Sequence, residues 1–233
     1  MEKRFLNSLD EILTPRHTAL VILDMQNDFC LRAGAFGAAG AYLDAFPPVI
    51  ASISRLLAAA RAPALRVIHV GMVVLPGRDS DSSAMRWFNR RANNGLVYTV
   101  EGTWGAETIT DLQPIPGEVT VRKRRQSAFW GTDLDLLLRS WGVRTIVLCG
   151  CVTEGCVEST ARDALFADYH VVVVEDGVAS YSAERHAASM LLLRHRFDVL
   201  PAREISAILG GSRCRGAMAR VRFAVSGIIR SCD

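Results

Sequence analysis

Six apolar runs of strand length are spread along the chain, over residues 19–25, 65–72, 119–123, 145–150, 170–176 and 197–201. Val, Ile and Leu are nearly continuous in most of them, the pattern of strands buried on both faces. Between the runs, apolar side chains recur at helical spacing: Ile50, Ile53, Leu56 and Leu57, then Leu134, Leu137, Leu138 and Trp141, then Val157, Ala161, Ala164 and Leu165. Thr132, followed three residues later by Asp135, predicts a capping-box start for the second helix. Glu158 and Arg162 are spaced as a surface ion pair on the third. This alternation predicts β-α-β units, hence a single-domain, three-layer α/β/α, Rossmann-like fold with a mainly parallel six-stranded sheet.

Two intervening segments and the C-terminus fall outside the alternation. Residues 31–42, rich in Gly and Ala, read as a flexible loop near the active end of the first strand. Residues 75–95, polar and arginine-bearing, read as a lid or a subunit contact. The domain is expected to occupy residues 1–210; residues 211–233 carry Arg213, Arg215, Arg220, Arg222 and Arg230 with no acid before Asp233. A disordered or non-native extension is the leading expectation there, over a basic docking segment.

Composition fits one soluble enzyme domain. A chain of 233 residues that is 50% hydrophobic can bury a sizeable core. A net charge of +3 points to neither nucleic acid nor a membrane surface as partner. The N-terminal residues lack a signal-peptide core, and no apolar run approaches the roughly 20 residues of a membrane span. With a core this large the six cysteines are not needed as staples, so the expectation is a reduced, cytoplasmic protein.

Cys156 stands where a buried strand breaks into a helix, and unpaired N–H groups at a helix start favour thiolate. A buried, inert cysteine is the competing reading. Asp24 closes the first apolar run and Lys123 the third. Side chains at the carboxyl ends of parallel strands converge on one crevice, so the three residues can meet although they are distant in sequence. Cys149, Cys151 and Cys156 also raise a metal site, but C-x-C-x4-C is not a usual zinc spacing. His69 reads as a satisfied strand residue, and neither a metal nor any other cofactor is expected.

Four blocks carry a family resemblance: residues 19–29 (ALVILDMQNDF), 101–107 (EGTWGAE), 123–134 (KRRQSAFWGTDL) and 150–164 (GCVTEGCVESTARDA). In their order and spacing the chain resembles the isochorismatase-like cysteine hydrolases, over roughly residues 15–205. Within them it is most similar to the ureidoacrylate and N-carbamoylsarcosine amidohydrolase branch. The Asp-x-His…His metal pattern of nicotinamidases is absent after the second run. The resemblance implies a thioester mechanism in which Cys156 is the nucleophile, Asp24 the proton carrier and Lys123 the cation that holds Asp24 ionised and lowers the thiol pKa. It also implies a cis peptide at Cys151–Val152, and an oxyanion hole made by the backbone N–H groups of Val152 and Cys156.

Gln26, Asn27, Phe29, Trp104, Phe129 and Trp130 are the candidate pocket residues, and Arg86, Arg90 or Arg125 the candidates for a substrate carboxylate. The substrate class implied is a small amide or ureide, and the assembly a homodimer or homotetramer. Three alternatives stay open: a catalytically silent binding protein, for which Glu154 beside the nucleophile is the hint, a thiol sensor using Cys151 and Cys156, and an isochorismatase-type hydrolase with another substrate.

Overall fold

The computed structural model describes residues 5–62 and 65–211; the arginine-rich extension lies outside the described residues from 212 onward. Its strands are β1 (Thr18–Leu23), β2 (Arg66–Met72), β3 (Val119–Lys123), β4 (Thr145–Cys151), β5 (His170–Ala179) and β6 (Asp198–Leu200). Its helices are α1 (Leu9–Ile12), α2 (Asn27–Cys30), α3 (Ala35–Ala38), α4 (Phe46–Arg61), α5 (Ser83–Asn93), α6 (Leu134–Ser140), α7 (Glu158–Phe166), α8 (Ala183–Arg196) and α9 (Ala202–Leu209). The sheet order is β3-β2-β1-β4-β5-β6, and every pairing within it is parallel.

That order reverses between β1 and β4. Right-handed crossovers then put α4 on one face and α6, α7 and α8 on the other, while α9 returns to pack on α4 and β5. β1 and β4 are buried along their whole length, as the continuous apolar runs require. The carboxyl ends of these two central strands flank the switch point, where an open parallel sheet leaves its crevice.

Two local expectations give way to packing. Thr132 accepts a hydrogen bond from Leu134 N, but Asp135 turns to Arg139 and the Tyr169 hydroxyl, so the reciprocal capping box is replaced by a tie from α6 to the residue before β5. The segment expected to be a flexible loop contains α3, pinned where Asp28 Oδ1 accepts from Ala35 N at 2.9 Å. Phe36, at its centre, is buried and stacks on Tyr181 with centroids 4.7 Å apart. Gly34 permits that return, because a Cβ there would stand 2.1 Å from Asn27 O. The polar stretch after β2 does stay on the surface: of α5 only Asn89 is buried, and Trp87 and Phe88 are exposed.

Below the crevice, Glu118 fastens the start of β3 to its neighbours. Its carboxylate pairs with Arg61 at 2.8 Å and with His69 Nε2 at 2.9 Å. Burial lowers the pKa of His69, so a neutral ring donates Nε2–H to Glu118, while its buried Nδ1 finds no partner among the described residues. Burial alone would raise the carboxyl of Glu118, but Arg61, the Ile115 N–H and His69 together hold it down to about 2. A depressed folded-state pKa stabilises above the unfolded value and loses that contribution as pH falls toward the folded one. The urea midpoint is therefore expected to drop as pH is lowered from about 4.5 to about 2, more steeply in the wild type than in Glu118→Gln. Parallel curves for the two proteins would contradict this account.

Candidate active site

The segments at the ends of β1, β3 and β4 each bring one candidate residue to the crevice. The chain leaves β1 at Asp24 in a left-handed conformation, φ 54°, which is costly for a residue with a Cβ. Asp24 is held there by Asp24 N donating to Val70 O at 2.8 Å and by Gln26 N donating to Asp24 O at 2.8 Å. Gly150 pairs with Leu23 in the neighbouring strand. A Cβ on it would stand 2.0 Å from Leu23 O, and its φ of 121° suits only glycine, so β4 can approach β1 this closely at no other residue. β4 ends at Cys151, the Cys151–Val152 peptide bond is cis, and a π-helical turn from Thr153 to Val157 leads into α7. Cys156 lies in that turn.

Strand spacing near 4.8 Å separates the ends of β3 and β1 by about 10 Å, a gap that the long stem of Lys123 spans. Its Nζ lies 2.7 Å from Asp24 Oδ2 and 3.1 Å from Cys156 Sγ, and it also donates to Arg125 O at 3.2 Å. Lys123 and Asp24 are 0% and 1% exposed, and Cys156 is 7% exposed. The three side chains expected from sequence to meet are therefore brought together and buried, with Lys123 in contact with both of the others.

Burial opposes the ammonium of Lys123, yet Asp24 and then Cys156 hold its pKa above the ordinary lysine value. Burial pushes the Cys156 thiol up to about 12, and Asp24 pushes the same way against the lowering by Lys123. This differs from the thiolate expected from the helix start and the lysine. One cation shared with a buried carboxylate has little attraction left for a second anion. The site thus combines the Asp24–Lys123 ion pair with a thiol whose pKa is raised.

The other candidates separate into different environments. Gln26 is a structural clip: its side chain donates to Met72 O and Ala106 O and accepts from Met72 N. Asn27 donates to Trp104 O at 2.8 Å. Phe29 joins Phe36 and Tyr98 in an aromatic cluster with centroids 5.1 to 5.4 Å apart. Trp104 is 49% exposed and Trp130 is 70% exposed. Phe129 packs on Tyr169, just before β5, at the end of the sheet away from the thiol. Val152 is half-buried at the cis bond.

Arg86 donates to Gly77 O and Arg78 O, Arg90 is exposed, and Arg125 donates only to the carbonyls of Ser80 and Arg124. Glu154 points away to Ser180 and Arg185, which removes the hint of a carboxylate opposing the thiol. Cys151 donates to Asp24 O and contacts Cys30, so the pairing with Cys156 that a thiol sensor would use is not formed. Among the described residues no cluster of three His, Cys, Asp or Glu is placed to hold a metal. None has a helix long and apolar enough to cross a membrane.

Three further residues lie near the site, two of them, Gly150 and Gln126, within the blocks that carry the resemblance. Gly150 had a legible signal, a glycine inside an apolar strand run. Tyr98 lies in none of the blocks, because its place near the site is created by segments meeting in space.

The chain matches the isochorismatase domain over residues 18–204. It is 38% identical over 187 residues to the ureidoacrylate amidohydrolase RutB of Pantoea ananatis, covering 75% of each chain. It is 33% identical over 198 residues to that of Acinetobacter baylyi, covering 79% of this chain and 80% of the relative. Among solved structures it is similar to a cysteine hydrolase from Pseudomonas syringae pv. phaseolicola, with TM-score 0.77 and 29% identity over 91% of this chain and 100% of that one. N-carbamoylsarcosine amidase from Thermoplasma acidophilum superposes with TM-score 0.64 and 27% identity, over 79% of this chain and 96% of that one.

Because the resting thiol is neutral, labelling of Cys156 by iodoacetamide, followed by mass spectrometry of its peptide, is expected to keep accelerating from about pH 7 to about pH 10. A plateau near neutrality would show a resting thiolate instead.

Proposed function

The chain belongs to the isochorismatase family, and we propose that it is a cysteine-dependent amidohydrolase cleaving a small linear amide or ureide C–N bond through a thioester. The observation that carries this reading is the buried contact of one ammonium with both a carboxylate, at 2.7 Å, and a thiol, at 3.1 Å. The relatives named as ureidoacrylate amidohydrolases and N-carbamoylsarcosine amidase support the bond type. The burial of Cys156, 7% exposed as a residue, favours a small acyl group.

Asp24 takes the proton of the Cys156 thiol as sulfur attacks the carbonyl carbon, so no free thiolate accumulates. The C=O electron pair moves to oxygen, where the backbone N–H groups of Val152 and Cys156 receive it across the cis bond. Such donors are each worth about 10²- to 10³-fold in rate. As the oxyanion collapses, the C–N bond breaks and Asp24 gives its proton to the leaving nitrogen, releasing ammonia or an amine. Water then attacks the thioester, Asp24 accepts its proton, and that proton returns to sulfur as the acid leaves. Lys123 supports both halves by keeping Asp24 ionised between proton transfers, since losing the ammonium would leave a buried carboxylate that favours its neutral form.

Ammonia release from a panel of ureides and primary amides is expected from the wild type and lost in Cys156→Ala; retained turnover in that variant would exclude the nucleophile. Asp24→Asn is expected to lower kcat by at least about 10³-fold while circular dichroism shows the fold retained. Near-normal turnover would exclude the assigned proton carrier. Chelation with EDTA is expected to leave the rate unchanged, and loss restored by zinc would overturn the metal-free mechanism.

A further inference from the structure

The turn that carries Cys156 is gripped from the side by α8, which packs along it. Arg185 and Ser189, four residues apart, and His186, three before Ser189, lie on one side of that helix. Arg185 Nε donates to Glu154 Oε1 at 3.0 Å, in an exposed pair that water screens. Ser189 Oγ gives its one proton to Glu158 Oε2 at 2.6 Å, at the start of α7, and lies 3.4 Å from Thr153 O. His186 reaches furthest in: its Nδ1 and Thr153 Oγ1 share a hydrogen bond of 2.9 Å. Thr153 is fully buried, so its hydroxyl needs a partner inside the protein, and His186 supplies it.

Thr153 opens the π-helical turn. Val152, immediately before it, and Cys156, three residues after it, carry the backbone N–H groups assigned to the oxyanion in the mechanism above. Val152 O accepts from Gly155 N at 3.1 Å and from Val157 N at 3.3 Å, so the turn is closed on itself and moves as a unit. Whatever fixes Thr153 therefore fixes the direction of both donors. The half-buried ring of His186 also lines a cavity of about 530 Å³, with Pro48, Val49 and Ser52 of α4 among its walls. Water entering from that cavity could pair the Thr153 hydroxyl if the ring were removed, which spares the fold, but a mobile water does not fix the turn.

We propose that His186 is a positioning residue: through its hydrogen bond to Thr153 it holds the nucleophile turn so that the N–H groups of Val152 and Cys156 converge on the substrate oxygen. The inference rests on the amidohydrolase reading and adds a residue from outside the crevice, in none of the blocks that carry the family resemblance. Preorganised donors stabilise the oxyanion only where it forms, and a misplacement of about 1 Å can cost about 10²-fold. Alkylation of the same sulfur by iodoacetamide displaces iodide at a saturated carbon and develops no oxyanion. A loosened turn therefore separates the two reactions of Cys156.

The test uses the full chain and whichever ureide or primary amide of the panel the wild type turns over fastest. His186→Ala is expected to lower kcat by about 10- to 100-fold, with KM within about threefold of the wild type and the unfolding midpoint nearly kept. Thr153→Val, which keeps the branched shape without the hydroxyl, gives a similar loss. The double variant loses no more than either single one, because both remove the same bond. His186→Asn, which keeps a polar atom near the Nδ1 position, recovers most of the rate. Iodoacetamide labelling of Cys156 at fixed pH runs at the wild-type rate in every variant. If His186→Ala proves too unstable to assay, Thr153→Val and His186→Asn carry the comparison. Wild-type kcat in Thr153→Val, additive losses in the double variant, or labelling that slows in step with kcat overturns the positioning role and leaves the amidohydrolase standing. A wild type inactive across the panel overturns the amidohydrolase, and the positioning role with it.

Discussion

The ion pair between Asp24 and Lys123 is the contact on which the crevice depends. Two opposite charges 2.7 Å apart and essentially sealed from water are tolerable only together, because either one alone would be a buried, unpaired charge. The pair is weak evidence for stability, since apolar side chains of similar volume often do as well. Its consequence is geometric. It ties the end of β3 to the end of β1 across β2, and brings one ammonium hydrogen within reach of a sulfur from the far side of β1.

Around that pair, two residues hold a strained backbone. Asp24 and Thr99 both hold left-handed backbone with a Cβ present, and Gly150 lets β4 press against Leu23 more closely than any other residue allows. Such conformations persist when their surroundings over-determine them. Here the surroundings are the two central strands, buried end to end, and the Asp28 carboxylate, which fixes the α3 segment through Ala35 and the Tyr98 segment through Thr99. Rigid strands locate the reacting groups, while the loops between them supply the walls.

The electrostatic state of the thiol follows from the same arrangement. A helix start and a nearby lysine both favour a thiolate, but those influences act on a group that is buried and next to a carboxylate already claiming the lysine. The larger effects win, and the resting sulfur keeps its proton. Under the proposed mechanism Asp24 would then be the base for a neutral thiol, a role open to a carboxylate when transfer and attack happen in one step.

The hydrophobic pattern was enough for the architecture. Continuous Val-Ile-Leu runs separated by helical stripes lead to a parallel sheet with helices on both faces, and strand-end positions identified Asp24, Lys123 and Cys156 as residues that meet. Periodicity is a local property, and parallel topology converts it into position with few alternatives. The same local reading mistook residues 31–42 for a flexible loop, since small residues signal freedom until a buried Phe36 finds Tyr181 across the fold. It also set Phe129 beside the pocket, where only its packing on Tyr169 shows otherwise.

The sequence by itself determined the fold class, fixed by the order and apolar character of consecutive segments, and, with the family resemblance, the three residues that meet in the crevice. Tertiary structure alone decided the raised pKa of the thiol and the satisfaction of Gln26. Those properties are sums over neighbours distant in the chain, and burial and hydrogen bonding do not exist for a residue until its neighbours are in place.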